Sequence, residues 1–208
     1  MKKSVILDNR LMAIVRLIRP DVVVCDVGTD HALLPCYLKQ MGQKRVFASD
    51  KNLNPLAAAR ETIQEYDIGG IELVLSDGMD NIPFFDNMDI VIAGMGGEMI
   101  TEILSRYSPH KNQRFILQPM TRHYHLRSAL CSFGYEIISE TAVNDNRKSY
   151  TIIYAKFTGI KSEASDVFRY IGKQTDRQYI SFELLKLEKM ANTDKSLLIT
   201  IDKIREKI

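Results

Sequence analysis

The sequence predicts an α/β protein on a mostly parallel, doubly wound sheet, finished by an antiparallel strand and followed by a helical hairpin. Three observations carry this. From residue 22 to residue 133, short β-branched runs alternate with amphipathic helical stretches, the pattern of βα units. Two further runs, 135–143 and 150–157, follow with no room for a helix between them, so they pair as an antiparallel hairpin. Beyond residue 166, apolar residues recur at heptad spacing.

Taken in order, Asp8 caps a first helix that Pro20 stops. Residues 22–27 form the first strand, Gly28 the turn, and an amphipathic helix begins at His31. Residues 45–49 are the second strand, and residues 52–66 a helix with Pro55 in its first turn. Residues 71–76 and 88–93 are the third and fourth strands, the latter closed by a glycine run and a helix over 98–107. A fifth strand over 114–118 and a helix over 122–133, ended by Gly134, precede the hairpin. This is the seven-stranded, Rossmann-like architecture typical of class I methyltransferases. Residues 159–165 read as a linker, 166–191 as one long helix and 194–208 as a second. Ile180, Leu184, Leu187 and Ala191 face Leu197, Ile201, Ile204 and Ile208 in a coiled-coil-like pair. Two units are expected: a ligand-binding domain over 1–158 and the helical appendage over 159–208.

Composition narrows the function classes. The 208 residues are 45% apolar, and no run approaches the roughly 20 apolar residues of a membrane span. The amino-terminus starts like a secretion signal, but Asp8, Arg10, Arg16 and Arg19 interrupt it. Cys25, Cys36 and Cys131 are isolated and without histidines at ligand spacing. They read as buried thiols in a cytoplasmic protein with no metal site. A monomer is expected rather than an obligate oligomer. Charge is uneven: residues 21–102 carry fourteen acids against five bases, residues 106–156 eight bases against three acids. A basic flank suits phosphates, and a solvated surface would use the same residues.

The chemistry falls at the strand ends, where ligands of such sheets lie. Asp26 ends the first strand and Gly28 lets backbone approach a ligand. Thr29 or Asp30 could instead cap the next helix. An acid there suits a cationic ligand, such as S-adenosylmethionine, better than a pyrophosphate. Asp50, beside Lys51, ends the second strand about twenty residues on, placed for ribose hydroxyls. Asp77 and Gly78 end the third, where an acid can accept an adenine amino hydrogen while Met79 packs on the ring. An Asp-Gly pair also makes an ordinary turn, but turns alone do not require acids at three successive strand ends. The run Ala93-Gly94-Met95-Gly96-Gly97 lets backbone approach a base or a transferring group. Gln118, with Pro119, could read a base edge and Arg122 could hold a phosphate. Arg147 and Lys148 in the hairpin loop could touch RNA.

The segments LDNRL, DVGTDHALLP, SDGMDNI, DIVIAGMGGEMI and FILQPMTRHYHLRSAL, with FGYEIISE, span roughly residues 7 to 157. Together they resemble the bacterial tRNA (adenine-22-N1)-methyltransferase family, TrmK. The resemblance implies methyl transfer from S-adenosylmethionine to N1 of an adenine in tRNA. It places Asp26, Gly28, Thr29, Asp50, Lys51, Asp77, Gly78, Met79 and residues 93–96 at the cofactor. Asp30 and His31 would face the target base and act in catalysis. Gly97, Gln118, Pro119, Arg122, Arg147 and Lys148 would meet the tRNA. Family members commonly carry an aromatic after DHA, where this chain has Leu33. A small-molecule methyltransferase and a non-catalytic RNA-binding protein with the same core stand as alternatives. A nicotinamide oxidoreductase fits poorly, because the glycine pattern is wrong for a pyrophosphate.

Overall fold

The computed structural model describes residues 3–145 and 148–207, except the side chains of Asp145 and Lys148. Helix α1 (Asn9–Val15) opens where Asp8 accepts a hydrogen bond from Leu11 N at 2.7 Å. Strands and helices then alternate as β1 (Val23–Val27), α2 (Leu33–Gln40), β2 (Arg45–Asp50), α3 (Leu53–Glu65), β3 (Ile71–Leu75) and β4 (Met88–Met95). They continue with α4 (Gly97–Arg106), β5 (Arg114–Pro119), α5 (His123–Phe133), β6 (Tyr135–Asp145) and β7 (Lys148–Phe157). The sheet order is β3-β2-β1-β4-β5-β7-β6. The first five strands of that order are parallel, and β7 runs antiparallel between β5 and β6. The expected fold is therefore present.

The central strands are buried on both faces, which explains their near-continuous apolar runs. Ile90 and Ile92 of β4 and Phe115 and Leu117 of β5 face one core with Cys25 and Val27. Val91 and Ile116 face the other with Val24, Leu34 and Leu38. All three cysteines are buried and free. Strand order reverses between β1 and β4, so their carboxyl ends diverge and leave a crevice. Among the described residues no helix is long and apolar enough to cross a membrane.

Two elements differ from expectation. Helix α2 starts at Leu33 rather than His31, because Asp30 and Ala32 adopt left-handed backbone with φ of 50° and 53°. Neither Thr29 nor Asp30 caps it; the Thr29 hydroxyl donates to the Asp26 carboxylate at 2.7 Å. The expected single helix over 166–191 is two, α6 (Asp166–Ile171) and α7 (Arg177–Met190). Gly172 breaks it with φ 58° and ψ −136°, a region costly for other residues. A Cβ there would overlap the Glu140 carboxylate and lie 2.5 Å from Arg127 Nε.

That close approach joins the carboxyl-terminal helices to the sheet. Arg127 and Glu140 pair at 2.8 Å with both side chains fully buried. The Arg127 guanidinium also donates to Arg169 O at 3.0 Å, Tyr170 O at 2.6 Å and the Tyr179 hydroxyl at 3.1 Å. All five of its N–H groups are thus used, as a buried guanidinium requires. Helix α8 (Leu197–Arg205) packs along α7, burying Ile180, Leu184, Leu187 and Ala191 against Leu197, Ile201 and Ile204. Ile208, expected in that seam, lies outside the described residues.

Candidate active site

The crevice at the carboxyl ends of β1, β2 and β4 holds a cavity of about 420 Å³. Asp26, Gly28, Thr29, Asp30, His31, Leu33, Asp50, Ala93, Gly94 and Met95 line it. A second cavity of about 190 Å³ lies beside it, bounded by Lys51, Ser76, Asp77, Gly78, Met99, Ile103 and Arg106. Gly28, Asp50 and Met95 border both. The two form one trough across the sheet edge, with Met95 between its halves.

Local hydrogen bonding sets each position. Gly28 N and Thr29 N donate to Ser49 O at 2.8 and 2.9 Å, tying the turn after β1 to β2. Gly28 has φ 74°, and a Cβ there would overlap the Met95 methyl. Asp26 is buried, and burial pushes its carboxyl up to about 6 despite the Thr29 hydroxyl and the Arg10 charge, both of which pull it down. Asp50 accepts from Asn52 N at 2.9 Å through Oδ1 and lines both halves of the trough. The Ser76 hydroxyl donates to Gly78 O and accepts from Asn81 N, both at 3.0 Å, which holds the loop after β3. Asp77 pairs with Arg106 at 3.1 Å, and that hydrogen bond holds its carboxyl below the usual range. Asp30 and His31 stand exposed at the rim of the larger cavity, Asp30 Oδ2 lying 3.8 Å from His31 Nε2.

The glycine run divides by role. Gly94 sits at a register shift in β4 with φ 79°, and a Cβ there would meet nothing within 4 Å, so this position opens to the cavity. At Gly97 a Cβ would lie 2.6 Å from Arg122 O and 2.9 Å from Thr121 O. Gly97 therefore serves close packing of the loop after β5, not a ligand. Gly96 lines neither half of the trough and lies against Thr121.

Several expected contacts sit elsewhere. Met79 is buried in the main core rather than at a ring site; Met99 and Ile103 of α4 offer the apolar surface there. Gln118 is fully buried. Its Oε1 accepts from Gly94 N at 3.1 Å and Arg10 Nη1 at 2.9 Å, and its Nε2 donates to Pro119 O at 2.9 Å. It shapes the Gly94 loop, and its amide is not free to read a base edge. Pro119 is buried beside it. Arg122 lines neither half of the trough and donates to the Tyr124 hydroxyl at 2.6 Å. It lines a cleft of about 210 Å³ shared with Tyr170 and Lys186. Arg147 and the Lys148 side chain lie outside the described residues.

Arg10 and Leu11 of α1 line the larger cavity, and sequence reasoning assigned them no role. The LDNRL segment contains them, but nothing in the sequence separates Arg10 from Arg16 or Arg19. Only the fold shows that α1 packs on the face of Val91, Ile116 and Ile152 and brings Arg10 to Gln118 at the end of β5.

Comparison with known proteins bears on the fold and the family. A family model described as a methyltransferase domain matches residues 7–153. The tRNA (adenine(22)-N(1))-methyltransferase of Bacillus subtilis is 29% identical over 154 residues, 72% of this chain and 65% of that protein. The chain thus spans just under two thirds of this curated relative in the match. The structure of M. capricolum TrmK in complex with S-adenosyl-homocysteine superposes with TM-score 0.79 at 27% identity, covering 96% of each chain. A protein of the NADB-Rossmann superfamily from Streptococcus agalactiae superposes with TM-score 0.84 at 25% identity, covering 98% of each. The chain belongs to the methyltransferase-domain family.

Proposed function

We propose that this protein transfers a methyl group from S-adenosylmethionine to N1 of adenine 22 in tRNA. The observation that carries this reading is the trough, with Asp26, Asp50 and Asp77 at three successive strand ends. The residues present fit the cofactor. Asp26 is a buried carboxylate short of positive charge, Gly94 leaves open space, and the smaller cavity joins Asp77 to the apolar Met99 and Ile103. When bound, S-adenosylmethionine supplies a methyl carbon activated by its sulfonium. Asp26 would hold the ammonium group, Asp50 the ribose hydroxyls, and Asp77 the adenine amino group, with Arg106 competing for that carboxylate.

The target adenine would enter over the exposed Asp30 and His31 and the half-buried Leu33, all of which line the larger cavity. N1 carries a lone pair at neutral pH, so no strong base is needed, and alignment supplies much of the rate. The base becomes cationic as it is methylated. The Asp30 carboxylate stabilises that charge and accepts a hydrogen bond from the 6-amino group. Left-handed backbone on both sides of His31 holds the pair outward. N1 lies on the pairing edge, so the target must be unpaired or flipped. The cleft of Arg122, Tyr124, Tyr170 and Lys186, between α5 and the carboxyl-terminal helices, would grip the tRNA body. The protein would act in the cytoplasm as a monomer.

The test is incubation with unmodified tRNA and S-adenosylmethionine, followed by nucleoside mass spectrometry. 1-Methyladenosine is expected; its absence across a broad tRNA set overturns the proposal. Asp30→Asn should lose most turnover and keep cofactor affinity by calorimetry. Abolished cofactor binding in that variant would remove Asp30 from its role.

A further inference from the structure

We infer that the cleft between α5, α6 and α7 holds one unpaired nucleobase of the RNA substrate. Tyr124 and Tyr170 take the ring, and Arg122 and Lys186 take the flanking phosphates. This nucleotide is not the one methylated. The inference rests on the tRNA reading proposed above and adds a specific contact to it. The place of the cleft supports it. Arg122, His123 and Tyr124 open α5 shortly after β5 ends at Pro119, on the sheet edge that carries the trough. Gly97 N donates to Thr121 O at 2.9 Å, so this loop packs against the glycine run beside the trough. β5 lies two strands from β1, roughly 10 Å at the spacing of paired strands. An RNA strand with one base over Asp30 and His31 can therefore bring another base to the cleft.

The cleft has the parts that a nucleotide needs. The Tyr124 and Tyr170 rings, both half-buried, lie 5.6 Å apart and 36° from parallel. Each is held in place: the Tyr124 hydroxyl accepts from Arg122 at 2.6 Å, and Tyr170 O accepts from the buried Arg127 at 2.6 Å. Leu187 adds a buried apolar wall, and the exposed Met120 and Met190 add polarizable thioethers. The volume of about 210 Å³ is below that of a site for a drug-sized ligand and suits one ring system. Among the described residues lining the cleft, the charges are Arg122, Lys186 and Glu183. Glu183 accepts from Lys186 at 2.6 Å and is nearly buried, whereas the Lys186 and Arg122 side chains are 46% and 54% exposed. Lys186 stands 4.4 Å from the Phe182 ring centroid, and Arg122 lies 3.6 Å from Glu98. Burial first, and then the Arg127 and Lys186 charges, lower His123 to about 4, so its ring adds no charge at pH 7. Cations thus outnumber the acid, and they face solvent. An acidic peptide would match the charge alone, whereas an unpaired base stacks on aromatic faces and carries its phosphates beside it.

The test uses the full chain, an unmodified tRNA transcript, and a single-stranded trinucleotide with 2-aminopurine between two uridines, whose fluorescence is quenched on stacking. Tyr170→Leu should weaken tRNA binding about 5–150-fold, the range for one base on an aromatic ring, and remove the quenching seen with the parent. Tyr170→Phe keeps the ring and should bind tRNA within about twofold of the parent. Arg122→Gln and Lys186→Gln should each lower the slope of log affinity against log salt by about 0.7, the share of one phosphate on a single strand. Parental affinity for S-adenosylhomocysteine by calorimetry checks that each variant is folded; if Tyr170→Leu is not, Tyr124→Leu gives the same comparison. Parental tRNA affinity in the leucine variant would overturn the pocket and leave the cleft to a protein partner. Equal loss in Tyr170→Leu and Tyr170→Phe would overturn stacking, as would a parent that leaves 2-aminopurine unquenched. Failure of the parent to bind tRNA at all would instead overturn the RNA reading itself.

Discussion

Asp26→Asn separates what the trough needs from what the fold prefers. Asp26 is 7% exposed and sits at the end of a central strand. Burial moves its carboxyl from 3.8 to about 6. The folded protein therefore binds this proton more tightly than the unfolded chain does. That contribution is fully present at low pH and is lost as pH rises from about 4 to about 6. That upward displacement corresponds to about 3 kcal/mol at neutral pH. A neutral asparagine of the same shape avoids this cost and can still hydrogen-bond the Thr29 hydroxyl. Urea denaturation at pH 7 should show the variant more stable by about 1–3 kcal/mol, a rise in Tm of roughly 2–4 °C per kcal/mol for a chain this size. The gain should vanish near pH 4, where the parent carboxyl is neutral in both states. Calorimetry should show the opposite effect on ligand: the variant loses most affinity for S-adenosylhomocysteine. The parent's own affinity should fall about tenfold per pH unit below about pH 6. A variant less stable than the parent at pH 7, or a gain equal at pH 4 and pH 7, would refute the reasoning. The site holds an uncompensated charge against the interest of the empty fold.

The glycine run and the buried ion pair give further tests. Gly97→Ala must push against two backbone carbonyls at 2.6 and 2.9 Å, and overpacking of this kind costs about 1–3 kcal/mol. Gly94→Ala meets open space and should cost only about 1 kcal/mol from its positive φ; melting curves that reverse this order would contradict the packing argument. Glu140→Ala leaves the fully buried Arg127 charge unpaired and should destabilise by about 3–5 kcal/mol in denaturant titrations. A loss under 1 kcal/mol would show that the pair does not join the carboxyl-terminal helices to the sheet. Met79→Ala should lower stability by about 2–5 kcal/mol, whereas Met99→Ala, at a side chain 45% exposed, should weaken 5′-methylthioadenosine binding with little change in melting.

Much of this protein is legible in one dimension because local patterns determine it. Short β-branched runs marked the strands, and the missing crossover between residues 143 and 150 marked the antiparallel finish. The acids at 26, 50 and 77 were readable because a parallel sheet puts all its strand ends on one edge. Other features depended on atoms distant in sequence. A helix cap by Thr29 or Asp30 was an open alternative, and it is the Thr29 hydroxyl's hydrogen bond to Asp26 that closes it for Thr29. Residues 166–191 read as one helix, yet Gly172 breaks it, and Arg127 and Glu140 occupy the space a side chain there would need. Met79 and Met99 are twenty residues apart and chemically alike, and only packing sends one to the core and the other to the trough. Gln118 resembled a base reader and proved to be the buried support of Gly94. Arg10 shows the division most clearly. Local patterning along the chain sets the sheet and its row of carboxylates. The tertiary structure alone decided which of several arginines stands opposite them, because a charge acts through space and its place along the chain does not fix where in space it lies.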